Sequence, residues 1–141
     1  MLQKKKGITA SIFAVLAVTF GGLFAGEAEA AGSKWDIHTT IIGPAGEDLP
    51  LREGEQNLGT DRGFGIKHIQ ERHGGYVPAA GEMEIVLHNA PNCKNGLNGG
   101  DKTVECTYPV GGRDMTVAVT ERIDERSGDH RPVGVITAFY R

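Results

Sequence analysis

After Gly74-Gly75 the hydrophobic period of this chain changes from that of a helix to that of a strand, and no other feature restricts the fold as much. Before the switch, Ile66, Ile69 and His73 recur at i, i+3 and i+7. That stripe predicts a short helix from about Phe64 to His73, with Thr60 or Asp61 as its cap and the glycine pair as its stop. After the switch, Met83, Ile85 and Leu87 alternate with Glu84, Val86 and His88; Val104, Cys106 and Tyr108 alternate with Thr103, Glu105 and Thr107; Met115, Val117 and Val119 alternate with Thr116, Ala118 and Thr120. A fourth run, Val133 to Tyr140, is apolar at nearly every position, as in a strand covered on both faces. Strands are therefore expected near 83–88, 103–108, 114–122 and 132–140. Turn formers fill the gaps: Asn95 to Asp101, Gly111-Gly112 and Ser127-Gly128-Asp129. The expected fold class is α+β, a short N-terminal helix packed on a four-stranded antiparallel sheet.

Residues 1–30 read as a secretory signal peptide. Lys4, Lys5 and Lys6 form the basic region, Ile8 to Phe24 is apolar apart from small or hydroxyl residues, and Ala28-Glu29-Ala30 has the A-x-A form of a cleavage site. Gly21, Gly22 and Gly26 weaken the alternative of a retained anchor helix. The protein is therefore expected to be secreted, extracellular, and without a stable membrane anchor after cleavage. Residues 31–61, rich in glycine, proline and charge, read as an N-terminal arm ending in a short strand or turn. Its Trp35, the sole tryptophan, is a core anchor by preference and a ligand contact by alternative. Residues 62–141 are left as the main domain, in a mature chain of about 111 residues with room for one core.

Removing Lys4, Lys5, Lys6, Glu27 and Glu29 from the 15 basic and 18 acidic residues leaves 12 and 16, a formal net charge of −4. Long-range attraction of nucleic acid is excluded; a local basic cleft acting within a Debye length is not. The chain has two cysteines, Cys93 and Cys106. An even count in an exported chain favours a disulfide, which in the chain-entropy picture contributes about 3 kcal/mol for a loop of this size. A metal pair would need further ligands nearby, and none stands at C-x-x-C spacing.

Acid-base chemistry concentrates in Gly65-Ile-Lys-His-Ile-Gln-Glu-Arg-His-Gly74, which holds two of the five histidines and an arginine. Histidines beside an arginine can move protons and neutralise an oxyanion near neutral pH. The same histidines can equally cap or flank a core. On a regular helix at 100° per residue, His73 lies about 140° from His68, so the two converge only where the last turn unwinds at the glycines. There the helix dipole would favour a protonated His73, suited to an acid or phosphate-binding role. Zinc-protease spacing is absent, because H-x-x-E-R-H is one residue longer than H-x-x-E-H, and Ser33 and Ser127 lie in no G-x-S-x-G. Neither a metal nor another cofactor is expected.

A helix bearing G-x-x-H-I-x-x-R-H-G, followed by a final strand G-V-I-T-A-F-Y, resembles the superfamily of barnase, EndoU, the tRNA-cleaving colicins and RelE toxins, above all its phage and bacterial-toxin branches. The likeness covers about residues 63 to 141, making 62–141 the catalytic domain. It implies metal-independent RNA cleavage in which the 2′-hydroxyl attacks the adjacent phosphate. His68 and His73 match the motif histidines and become the acid-base candidates. Thr137 matches a strand threonine that donates to phosphate, and Arg72 and Tyr140 are candidate substrate-binding residues. Related toxins often carry tyrosine two residues after the threonine; here Phe139 stands there and Tyr140 follows, so a bulge is needed to bring Tyr140 beside Thr137. The implied partners are an RNA substrate and an immunity or inhibitor protein, with the chain itself a monomer. The competing function is a non-catalytic exported binding or inhibitor module on the same disulfide-stapled sheet.

Overall fold

The computed structural model describes residues 33–57, 62–95 and 102–141; the leader, the expected caps Thr60 and Asp61, and most of the Asn95 to Asp101 loop lie outside the described residues. Among the described residues no helix is long and apolar enough to cross a membrane. The chain runs through β1 (Ile37–Ile42), β2 (Asp48–Arg52), β3 (Glu55–Asn57), β4 (Arg62–Phe64), α1 (Gly65–Arg72), α2 (Ala80–Asn89), β5 (Cys93–Asn95), β6 (Thr103–Val110), β7 (Arg113–Ile123), a 3-10 turn (Glu125–Ser127) and β8 (Pro132–Tyr140). The class is α+β. Three antiparallel sheets are present among the described residues: β1-β2, β3-β4 and the four-stranded β5-β6-β7-β8.

Three expected strands are β6, β7 and β8, but the segment near 83–88 is helix α2. Met83, Val86 and Leu87 are buried at i, i+3 and i+4 while Ile85 is 44% exposed, a helical stripe that strand alternation would not give. The helix starts because Glu82 reaches back to accept the Ala79 backbone N–H at 2.9 Å. The fourth strand of the sheet is β5, short and exposed, which sequence periodicity does not reveal. It pairs Cys93 directly with Cys106 of β6, and the two form a disulfide with Cα atoms 4.5 Å apart.

The expected arm is also corrected. β1 and β2 form a hairpin whose Ile41, Leu49 and Leu51 join Ile69 of α1, Met83, Val86 and Leu87 of α2, and Met115, Val117, Val119, Val135 and Ala138 of the sheet in one core. α1 therefore follows four strands instead of opening the fold. Trp35 is half-buried and stacks on Phe64 with ring centres 5.2 Å apart. Beside it Arg52, with no exposed surface, donates to the Trp35 carbonyl at 2.7 Å, to both Asp129 carboxylate oxygens at 2.8 and 3.1 Å, and to the Pro132 carbonyl at 2.8 Å. One guanidinium thus ties the hairpin to the start of β8.

At the same crossing β2 passes so near β8 that a Cβ on Gly134 would lie 2.1 Å from the Pro50 carbonyl oxygen, and Gly134 has φ +87. Only glycine fits. Just beyond it the register slips: Val119 pairs with Val135 but Ala118 pairs with Thr137, so Ile136 is an extra residue on β8. This bulge changes which face the following side chains occupy.

Candidate active site

Alternation along β6 and β7 gives the four-stranded sheet an apolar face of Cys106, Met115, Val117 and Val119 and an opposite, outer face carrying Thr103, Glu105, Thr107, Thr116, Ala118 and Thr120. On β8, Val135 faces the core. Without the bulge, Thr137 would follow it. With Ile136 inserted, Ala138 and Tyr140 face the core opposite Val117 and Met115, and Thr137 and Phe139 face outward opposite Ala118 and Thr116. The Thr137 hydroxyl is buried and meets no hydrogen-bond partner among the described residues. Such a group costs stability and calls for an explanation.

α1 lies against β8 and brings His73 to this outer face, with the His68 ring beside it. Its start is set by Gly65, where φ is +77 and a Cβ would stand 2.5 Å from the Arg52 carbonyl oxygen. Its end comes at Arg72; the His73 N–H still donates to the Ile69 carbonyl at 3.0 Å, but His73 has φ −129 and ψ 29 and leaves the helical path. The unwinding that convergence required is present. The His73 ring stacks on Phe139 with centres 3.9 Å apart, and the His68 ring stands edge-on to it at 6.0 Å. His68, 9% exposed, directs Nδ1 to the amide oxygen of Gln56 on β3.

The expectation of a protonated His73 is overturned. Burial of the ring, seconded by the positive charge of Arg72, holds its pKa below the ordinary histidine value. His73 is thus neutral at neutral pH and able to take up a proton. Arg72 itself is exposed and acts on the site through its charge.

Of the expected residues, the fold brings together His68 and His73, places Thr137 on the face that carries His73's stacking partner, and sets Arg72 at its margin. Tyr140 is not brought there. The bulge lies N-terminal to Thr137 and so turns Tyr140 to the core side, where its hydroxyl donates to Glu82 at 3.0 Å beside Tyr76, 6.1 Å away ring to ring. Both phenol pKa values are raised, that of Tyr76 chiefly by its hydrogen bond to Glu82 and that of Tyr140 chiefly by desolvation.

Three residues were given no role from the sequence. Phe139 is the platform under His73, Gln56 is the partner of His68, and Arg141 lies on the outer face, donating from Nε to Thr116 Oγ1 at 3.1 Å with its guanidinium 5.5 Å from the Phe139 ring centre. The strand motif signals Phe139; nothing local signals Gln56. Among the described residues no three His, Cys, Asp or Glu side chains gather as a metal site. Two imidazoles, a hydroxyl and flanking guanidiniums are a set suited to shifting protons around an anion. No protein-family model matches the chain, and neither a curated protein nor a solved structure shows significant similarity to it.

Proposed function

We propose that this protein is a secreted, metal-independent endoribonuclease, acting as a toxin, with α1 against the β8 side of the sheet as its catalytic core. The observation that carries this reading is the pair His68 and His73, with rings 6.0 Å apart and His73 on the face where the Thr137 hydroxyl lies buried without a partner. The likeness of the Gly65 to Gly74 helix and the Gly134 to Tyr140 strand to the barnase, EndoU, colicin and RelE superfamily agrees with it.

Neutral His73 serves as base and takes the proton of the 2′-hydroxyl as that oxygen bonds to phosphorus. His68 serves as acid and delivers a proton to O5′ as the P–O5′ bond breaks, leaving a 2′,3′-cyclic phosphate and a free 5′-hydroxyl. Thr137 Oγ1 donates to a phosphate oxygen, which supplies the partner it lacks, and Arg141 and Arg72 add positive charge on a chain of net charge −3. The substrate partner is RNA, and a producing cell would need an immunity or inhibitor protein.

The test is cleavage of total RNA by the purified protein in chelator. Products ending in 2′,3′-cyclic phosphate are expected, with His68→Ala and His73→Ala each slower by roughly 10²- to 10⁴-fold. Absence of such products, or full activity in both variants, replaces this function with that of an exported binding module.

A further inference from the structure

Gln56 is buried enough that its amide nitrogen meets neither solvent nor any hydrogen-bond partner among the described residues, while its amide oxygen is held by His68 Nδ1. Leaving a buried donor unmade carries a desolvation penalty that a methionine or leucine of similar size would not incur. The backbone makes room for this amide. Gln56 pairs with Gly63 of β4, and a Cβ on Gly63 would stand 2.8 Å from Gln56 Oε1. β4 continues directly into α1, so a short antiparallel ladder and one helix turn fix the amide and the imidazole relative to each other.

An amide oxygen only accepts, so Nδ1 of His68 must carry the proton in this contact. In the neutral ring that places the basic lone pair on Nε2. We propose that Gln56 is the positioning residue of His68, fixing its orientation and its Nδ1–H tautomer so that Nε2 is the nitrogen that exchanges a proton with the substrate. The catalytic use of Nε2 rests on the ribonuclease reading; the tautomer does not.

Long-range proton–nitrogen correlation spectra of the ¹⁵N-labelled purified protein, recorded where His68 is neutral, report which ring nitrogen is protonated. Wild type and Gln56→Glu, which keeps an acceptor, are expected to show Nδ1–H. Gln56→Met, which removes it, is expected to shift His68 toward Nε2–H and to lower kcat by roughly 10- to 100-fold with KM little changed, the scale found for the partners that orient metal-binding histidines. An Nε2–H tautomer in wild type overturns the proposal, as does an unchanged tautomer in folded Gln56→Met. Should Gln56→Met not fold, the wild-type and Gln56→Glu spectra decide. A tautomer that responds as expected in a protein that cleaves no RNA upholds the role of Gln56 and removes the ribonuclease reading alone.

Discussion

A buried hydroxyl without a partner is a liability to stability and an asset to a site that receives an anion, and Thr137 lets the two effects be measured separately. Thr137→Val keeps the shape and removes the unmet group, so stability in urea is expected to hold or rise by up to about 1 kcal/mol. RNA cleavage is expected to fall by about 10²- to 10³-fold, the scale for losing one donor to a transition-state oxyanion. Full activity in this variant removes Thr137 from the mechanism. His73 gives a second contrast. Its folded pKa lies below the unfolded value near 6.5. Its contribution to stability is therefore fully present above pH 6.5 and is lost as pH falls through the folded pKa, where the buried ring must charge. The acid limb of kcat/KM is expected to lie below pH 6.5 as well, and a limb at or above 6.5 rejects His73 as the base.

At the scale of elements, α2 shows why alternation alone misleads. The run Met83 to Leu87 is apolar at 83, 85, 86 and 87, which satisfies a strand through 83, 85 and 87 and a helix through 83, 86 and 87. The cap at Glu82, three residues upstream of Ile85, decides for the helix. Val86→Asn is accordingly expected to lower the thermal midpoint strongly while Ile85→Asn changes it little; the reverse order would restore the strand. The β5-β6 pair is held through the Cys93 to Cys106 bridge, which spans 13 residues of sequence. Reduction is expected to cost on the order of 3 kcal/mol and to lower the midpoint by roughly 10–20 °C. The bulge at Ile136 sets the faces of the end of β8, because one added residue sends Thr137 and Phe139 to the outer face and turns Tyr140 toward the core.

Across the whole molecule, two acidic anchors, Asp129 and Asp48, join distant segments, and a third, Asp124, closes the turn after β7 locally. Asp129 is held by Arg52, Asp48 by Arg131, and Asp124 by Arg126, and each carboxyl pKa is pushed below its ordinary value chiefly by those guanidinium hydrogen bonds. Depressed carboxylates contribute stability that is present above about pH 4 and lost as pH falls toward the folded values. Acid unfolding followed by circular dichroism should therefore begin below about pH 4, and Asp129→Asn should move that onset upward; an unchanged onset would exclude the anchor. From the sequence alone came the α+β class, α1, three of the four main strands and the disulfide, because period, turn residues and cysteine count are local properties. The histidine pair was legible as chemistry, and its convergence only as a condition on the last turn of α1. Tertiary structure alone decided the faces. The packing of the β1-β2 hairpin into the core, the bulge that reassigns β8, and the meeting of Gln56 with His68 depend on which strands lie side by side, and that choice is made by packing between residues far apart in the chain.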